Sequence, residues 1–406
     1  MKNGYLSQYF DGVAAKILTS VEADLQVSHQ HEFNGVKGLR SILGEPPEKV
    51  IYQSQFMYFT DYDDEPITEH GELSWYDSRK NQPHRSAEYR LYFTVTTVMQ
   101  MANVGDIVII AKPKKEKELL VIVAEKETTI ASQLLWLFGF SSLDHPGFSI
   151  REELETEQDR IAFASRIILE NIGIKVEIGD ENFLDEMLKK FGGSFPPTRE
   201  FSEYARTTLK NIDFLTNYDN ALMDCYEREE ILFRTLEKHI IAERLSKGFS
   251  GTDYVDDFNQ FSLSIQNRRK SRAGLALENH LEFLFQKNKI SYNRNPVTEN
   301  KSKPDFLFPG IKEYKDLTFN AINLTMLGVK STCKDRWRQV LTEAKRIKTK
   351  HVLTLESAIS INQTNEMRHN LLQLVVPQKI HFTYKHEQQK WLLTVSDFID
   401  LIKQKQ

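Results

Sequence analysis

The stretch from Lys303 to Glu343 constrains the fold and chemistry of this chain more than any other part of it. Asp305 follows a proline and precedes the apolar run Phe306-Leu307-Phe308, and Lys330 ends a second apolar run 25 residues later. Glu343 comes after 13 more residues, in a segment with apolar residues at helical spacing. The expected buried stripe of that helix is Trp337, Val340, Leu341 and Ala344. Two strands and a helix would bring Asp305, Lys330 and Glu343 together, as hydrolysis of a phosphodiester with a divalent metal requires.

Cations dominate the segment that follows Lys330. Between Lys330 and Lys350 the sequence contains eight lysines and arginines but only two acids, Asp335 and Glu343. Such a surface suits a DNA duplex. Lys334, Asp335 and Arg336 combine the residue types that read guanine and cytosine in the major groove, and Arg338 is on the same segment. Taken singly, a Pro-Asp pair also starts ordinary turns, a lysine often ends a strand, and a charged helix can simply be a solvated face.

A second basic run precedes an apolar helix upstream. Four cations lie within six residues, at Arg268, Arg269, Lys270 and Arg272. They lead into a helix whose apolar stripe is Leu277, Leu281, Leu284 and Phe285. This stripe leaves Glu278 and Glu282 as an i,i+4 pair away from the buried face. The cations are candidates for contacts with the DNA backbone, and a solvated helix face is the alternative.

The first 140 residues or so read as mostly β. Short aromatic or β-branched runs recur between turn residues, at 72–76, 88–93, 107–111 and 119–123. Their regular spacing predicts a small barrel or sandwich. Two loops, 28–35 and 77–85, offer side chains that pair with base edges or phosphates, namely His31, Asn34, Arg79 and Arg85. The alternative is that both are polar surface loops.

Composition shifts along the chain indicate its domains. A length of 406 residues suits two or three domains. Acidic residues precede a helical pattern after Ser141, and the glycines and prolines at 192–197 interrupt it. We therefore predict a β-rich DNA-binding domain at 1–145, a helical acidic linker at 146–194 and an α/β domain at 195–406. Helices are expected near 201–211, 226–247 and 254–264.

Several classes of protein are disfavoured by composition. Two cysteines are too few for a disulfide framework, which favours a reducing compartment. Asp11 falls where a signal peptide needs an apolar core, and the apolar run at 134–140 is too short to span a bilayer. We therefore expect a cytoplasmic protein with no membrane partner. The net charge of −4 argues against a uniformly basic coat for nucleic acid.

Five blocks of the C-terminal half resemble the catalytic domain of the EcoRII family of type II restriction endonucleases. They are residues 267–274, 277–278, 303–309, 329–339 and 374–377. The resemblance covers roughly residue 195 to the end. It implies a restriction-endonuclease-like fold of the PD-(D/E)xK superfamily, Mg2+-dependent hydrolysis of double-stranded DNA, and a homodimer that cuts a short palindromic site.

The resemblance also implies roles for individual residues. Asp305 and Glu343 match metal ligands, Lys330 matches the catalytic lysine, and Glu278 matches an upstream acidic group. Lys334, Asp335 and Arg336 match a segment that reads C:G pairs in relatives, so outer C:G pairs are expected in the recognition site. Gly328 stands where the superfamily places a second acid before the lysine, and Glu343 takes over that function.

The N-terminal third resembles the family more loosely. The family has a DNA-binding pseudobarrel there, related to the B-three domain of plant transcription factors, which restrains the nuclease. Residues 28–35 and 75–79 fall where its DNA-binding arms would lie. Two other functions remain open at this point: an endonuclease that cuts only methylated DNA, and a DNA-binding regulator whose nuclease domain has decayed.

Overall fold

Contacts divide the chain into two compact units. The computed structural model describes residues 4–23, 31–63, 65–82, 84–114, 117–143, 146–161, 163–176, 183–249, 253–333 and 336–406. The N-terminal unit comprises Met1–Val176 and Ser357–Thr364, and the C-terminal unit comprises Glu177–Glu356 and Asn365–Gln406. The first part of the segment predicted as a linker, up to Val176, thus belongs to the N-terminal unit.

The N-terminal unit is built on one eight-stranded sheet. Its strands are β1 (Phe10–Ile17), β2 (Glu32–Phe33), β3 (Val50–Phe59), β4 (Ile67–Asp77), β5 (Tyr89–Phe93), β6 (Ile107–Pro113), β7 (Glu118–Ala124) and β8 (Ser149–Arg151). They lie in the order β2-β5-β4-β3-β7-β6-β1-β8. The two edges approach each other where Phe148 N donates to Gly35 O at 3.4 Å. The sheet is therefore curled into a barrel-like shape.

Both faces of this sheet are buried. In β6, Val108 and Ile110 join a core that contains Trp75, whereas Ile107 and Ile109 join a second core on the other face. This alternation follows from the two-residue period of a strand. The helices of the unit are α1 (Ser20–Ala23), α2 (Arg40–Leu43), α3 (Thr97–Met101), α4 (Thr129–Leu137) and α5 (Phe163–Asn171). Helices α4 and α5 cover the second face.

The C-terminal unit combines long helices with a mixed sheet. Its strands are β9 (Asn293–Arg294), β10 (Phe306–Phe308), β11 (Thr325–Lys330), β12 (Lys350–Thr354) and β13 (Leu372–Val375). Strands β9, β10 and β11 pair antiparallel, and β11, β12 and β13 pair parallel. The helices are α6 (Leu184–Phe191), α7 (Thr198–Thr207), α8 (Tyr218–Lys247), α9 (Tyr254–Lys287), α10 (Ile311–Lys315), α11 (Trp337–Val340), α12 (Ile361–His369), α13 (His386–Gln389) and α14 (Val395–Lys405). The residues of α12 up to Thr364 are assigned to the N-terminal unit, and those from Asn365 to the C-terminal unit.

Aromatic packing fixes α9 on the sheet. The ring of Phe285 lies 5.2 Å from the rings of both Phe306 and Phe308 in β10. Leu277, Leu281 and Leu284 are almost completely buried on the same helix, which confirms the predicted stripe. This packing carries Glu278 toward the end of β10 at which Asp305 stands.

The predicted fold classes are confirmed: the N-terminal unit is mainly β and the C-terminal unit is α/β. One helix prediction was too short, because α9 continues from Tyr254 through the basic run to Lys287. Both cysteines are free and buried. No helix in the described part of the chain is long and apolar enough to cross a membrane.

Candidate active site

Asp305 and Lys330 meet at the end of the β10/β11 pair. Phe306 of β10 lies opposite Leu327 of β11, so the residue before β10 and the last residue of β11 share one end of the pair. Oδ2 of Asp305 accepts hydrogen bonds from Val329 N at 2.6 Å and from Lys330 Nζ at 3.0 Å. The side chains are 15% and 22% exposed, so the pair is sheltered but open to a ligand. The structure thus joins two of the predicted site residues directly.

Packing explains why Gly328 carries no carboxylate. A Cβ atom at Gly328 would lie 2.9 Å from Val340 Cγ2, closer than real Cβ contacts. Val340 is fully buried in α11. A glutamate or aspartate before Lys330 would therefore displace α11, and the site must obtain its further carboxylate from elsewhere in the chain.

Glu343 supplies a carboxylate close to this pair, but not from a helix. Helix α11 ends at Val340, and Ala344 has φ of 44°, which lies outside the helical region. The prediction that Glu343 lies within a helix was therefore wrong. Trp337, Val340 and Ala344 are fully buried as expected, whereas Leu341 of the predicted stripe is only half-buried. Burial and, next, the charge of Asp305 raise the pKa of Glu343 to about 7, while Lys330 and Lys350 oppose the shift.

Glu278 joins the site from α9 and is held by an arginine. Arg294 in β9 donates to Glu278 Oε2 at 2.8 Å and to Glu282 Oε2 at 2.8 Å. It also donates to Asn279 Oδ1 at 2.9 Å. Burial raises the pKa of Glu278, and Asp305 raises it further, against the effect of Arg294. Asp305 therefore acts electrostatically on both Glu278 and Glu343, so the structure gathers all four predicted catalytic residues in one region.

In the absence of metal, the free energy of unfolding should depend on pH because the pKa of Glu343 is raised. Because the native pKa is about 7 and the usual value is 4.5, the native state binds more protons than the unfolded state between these values. Wild-type stability should therefore fall as the pH rises from about 4.5 to 7. We expect Glu343→Gln to match wild type at pH 4 and to exceed it at pH 8 by about 1 to 2 kcal/mol, after allowance for solvent screening.

Urea unfolding in the presence of a chelator measures this difference. Glu200→Gln is the matched control, since Glu200 is exposed on α7, and its stability should follow wild type at both pH values. Parallel pH profiles for wild type and Glu343→Gln would contradict the raised pKa of Glu343.

The structure describes only part of the segment predicted to read bases, Lys334 to Arg336. Lys334 and Asp335 lie outside the described residues. Arg336 is exposed immediately before α11. Arg338 lies over the ring of Trp337 and pairs with Glu366 through both guanidinium nitrogens. Any contact of Arg338 with DNA would therefore compete with Glu366.

The basic run at the middle of α9 divides into two kinds of residue. Arg268, Arg269 and Lys270 are exposed, and Arg269 pairs with Glu237 at 2.7 Å. Arg272 is only 6% exposed and pairs with Glu229 at 2.5 Å. Its predicted DNA contact is therefore wrong for this conformation, because its guanidinium is enclosed among the helices α8 and α9.

The N-terminal candidates lie on the barrel-like sheet and its loops. His31 is half-buried, with its ring 6.0 Å from those of Tyr92 and Phe93. Asn34 N donates to the buried Glu22 at 2.7 Å. Arg79 pairs with Glu88 at 2.6 Å, and Arg85 Nη1 lies 3.3 Å from Gln82 Oε1. Their contacts with DNA stay predictions.

Two residues of the site region were missed in the sequence. Arg294 stands in no motif, yet the predicted pair Glu278 and Glu282 signalled that two neighbouring carboxylates need a cation. Lys350 was counted among the exposed cations, whereas it is only 5% exposed. Its position at the start of the apolar strand β12 was the available signal.

Comparisons with known proteins agree on the C-terminal part of the chain. The sequence profile of the family described as EcoRII C terminal matches residues 233–399. The type II restriction enzyme EcoRII of Escherichia coli is 40% identical over 207 residues, which are 50% of this chain and 50% of that enzyme. The type II restriction enzyme SsoII of Shigella sonnei is 25% identical over 229 residues, 47% of this chain and 70% of that enzyme.

Solved structures with a similar fold include two DNA complexes. Metal-depleted Ecl18kI in complex with uncleaved, modified DNA has a TM-score of 0.44 and 23% identity, over 56% of this chain and 85% of that chain. The complex of restriction endonuclease PspGI with substrate DNA has a TM-score of 0.44 and 19% identity, over 52% of this chain and 93% of that chain. The chain spans about half the length of the EcoRII enzyme that it matches.

Proposed function

We propose that the protein is a type II restriction endonuclease, because residues 233–399 match the family model described as EcoRII C terminal. It hydrolyses phosphodiester bonds in double-stranded DNA at a specific sequence. The observation that carries the proposal is the 3.0 Å pair of Asp305 and Lys330 at the end of two strands, with Glu278 and Glu343 in its electrostatic field.

The cluster of carboxylates fits a divalent cation. Burial and then the charge of Asp305 raise the pKa of Glu343, against the effect of Lys330 and Lys350. A bound cation would favour the ionised forms of both carboxylates. In the described residues, no group of three or more His, Cys, Asp or Glu side chains could by itself hold a metal ion. Mg2+ commonly takes one or two carboxylates together with substrate phosphate and water. Asp305 and Glu343 are such a set, and Mg2+ is the proposed cofactor.

Each residue of the site has a separate task in the proposed reaction. When bound, Mg2+ polarises the scissile phosphate and lowers the pKa of an attacking water. Lys330, held by Asp305, orients that water and stabilises the negative charge of the phosphate. Glu343 and Glu278 hold negative charge around the cation, and Arg294 keeps Glu278 in place. The P–O bond to the leaving oxygen breaks as the water oxygen bonds to phosphorus.

The remaining elements of the proposal concern how DNA is read. Lys334, Asp335 and Arg336 follow Lys330 closely, so base reading and cutting would be separated by a few residues. A homodimer would match a palindromic site, because two-fold protein symmetry mirrors that of the DNA. The N-terminal unit would bind a further DNA segment as an effector through the loops around His31, Asn34, Arg79 and Arg85.

Digestion of DNA with known methylation tests the proposed function. We expect the full-length protein and Mg2+ to cut unmethylated bacteriophage DNA into discrete fragments whose sequenced ends share one motif. Fragments from methylated DNA alone would support a modification-dependent enzyme instead. Retained DNA binding with no cutting of either substrate would support a regulator with a decayed site.

A further inference from the structure

The segment that carries Glu343 lies between α11 and β12 and belongs to no helix or strand. It follows the end of α11 at Val340, and its hydrogen bonds are those of successive turns, such as Ile347 N to Ala344 O at 2.9 Å. Ala344 adopts φ of 44° with its side chain fully buried. Ile347 is also buried, and backbone carbonyls that face the interior at such a bend need hydrogen-bond partners.

The side chain of Lys350 donates hydrogen bonds to three of these carbonyl groups. Its Nζ atom donates to the carbonyl oxygen of Ala344 at 2.8 Å and to that of Ile347 at 2.9 Å. The third acceptor is the carbonyl oxygen of Glu343 itself. An ammonium group has three N–H donors, so the three carbonyls use its whole capacity. Because Lys350 starts β12 and its side chain is only 5% exposed, the ammonium is anchored to the central sheet.

This arrangement ties the carboxylate of Glu343 to the strand beside β11. Strand β12 pairs parallel to β11, which ends at Lys330. Leu327 of β11 lies opposite His351 of β12, so Lys350 stands near the start of this strand pair and Lys330 at its end. Lys330 contacts Asp305, and Lys350 holds the backbone of Glu343. A buried lysine is costly unless it is fully bonded, which argues that its position serves this segment.

We propose that Lys350 is a positioning residue for Glu343, and that it sets the affinity of the site for divalent metal without contacting metal or DNA. The inference rests on the proposed function, in which Glu343 is a metal ligand. Loss of the ammonium would remove one hydrogen bond from each of three carbonyls, let the turn relax, and move the Glu343 carboxylate away from Asp305. A displacement of about 1 Å is enough to disable a constellation of this kind.

Binding of Mn2+ to the full chain, followed by the electron paramagnetic resonance signal of free Mn2+, tests the proposal. We expect Lys350→Met to weaken Mn2+ binding about tenfold, whereas Lys312→Met, which changes an exposed lysine of α10, should leave it within twofold of wild type. DNA binding without metal and the circular dichroism spectrum should be unchanged in both. If Lys350→Met does not fold, Lys350→Gln, which keeps one amide donor group, takes its place.

A double-mutant cycle separates positioning from general stability. In a Glu343→Gln background, replacement of Lys350 should change Mn2+ affinity by less than twofold, because the carboxylate that it positions is gone. Unchanged Mn2+ affinity in the single Lys350 variant, or the same loss in both backgrounds, would overturn the role of Lys350. Equal Mn2+ affinity of wild type and Glu343→Gln would instead refute the proposed metal role of Glu343.

Discussion

Replacing Lys330 by Met, or Asp305 by Asn, is expected to lower the rate of DNA cleavage about 10³-fold or more. Lys330→Met removes the ammonium that lies 3.0 Å from Asp305 Oδ2 and would orient the attacking water. Asp305→Asn removes the charge that would hold the metal and the lysine. Losses of 10² to 10⁴ are usual when a proton-transfer or charge-stabilising group is deleted. Single-turnover digestion of a duplex that carries the identified site measures the rate.

A matched variant shows whether the loss is specific to the site. Lys312→Met changes an exposed lysine of α10 in the same unit, and its rate should remain within twofold of wild type. Binding of the duplex in Ca2+ by gel shift should persist in Lys330→Met, because the lysine acts on the reaction more than on affinity. Cleavage within tenfold of wild type by either site variant would refute this assignment of the active site.

The sequence predicted that Asp305 and Lys330 meet, because both lie at the ends of strands. Apolar runs before Lys330 and after Asp305 fix strand ends, and antiparallel pairing then brings those ends together. The same reasoning failed at Glu343, because helical spacing of Trp337, Val340 and Ala344 also fits a short helix followed by a turn. The helix ends at Val340, and the turns beyond it are bonded to Lys350, a tertiary contact that the spacing does not reveal.

The basic run of α9 shows that the sequence alone does not predict which cations of a helix are exposed. Arg268, Lys270 and Arg272 are all cations of one helix, but their exposure depends on which helix packs against each face. Glu229 and Glu230 lie on α8, more than 40 residues away in sequence. Nothing in the local pattern identifies them as partners of Arg272, so a buried ion pair looked like part of a DNA-binding surface.

The active-site carboxylates and the helix network are connected through adjacent residues of α9. Glu278 faces the site, Asn279 bonds to Arg294, and His280 lies with its Nε2 2.8 Å from Glu229 Oε2. Arg206 Nη1 donates to His280 Nδ1 at 3.0 Å, which leaves the ring proton on Nε2, toward Glu229. Burial lowers the pKa of His280, which disfavours its charged form, although Glu229 opposes the shift. Arg272 is then the main positive partner of Glu229.

Arg272→Met is therefore expected to destabilise the C-terminal unit by about 3 to 5 kcal/mol. The guanidinium pairs with Glu229 at 2.5 Å and Glu230 at 2.8 Å, and it lies 3.8 Å from the centre of the Phe233 ring. Its removal leaves the fully buried Glu229 carboxylate without its cation, which costs far more than loss of a surface pair. Urea unfolding at 222 nm, a signal dominated by long helices such as α8 and α9, measures the change.

Lys270→Met is the matched control on the same helix, and it should affect DNA binding rather than stability. Because Lys270 is exposed, its loss should change stability by no more than about 0.5 kcal/mol. If the exposed face of α9 seats DNA, the same variant should weaken duplex binding and reduce the slope of log affinity against log salt by about 1. A stability loss under 1 kcal/mol for Arg272→Met would show that the ion pairs with Glu229 and Glu230 do not hold α8 and α9 together.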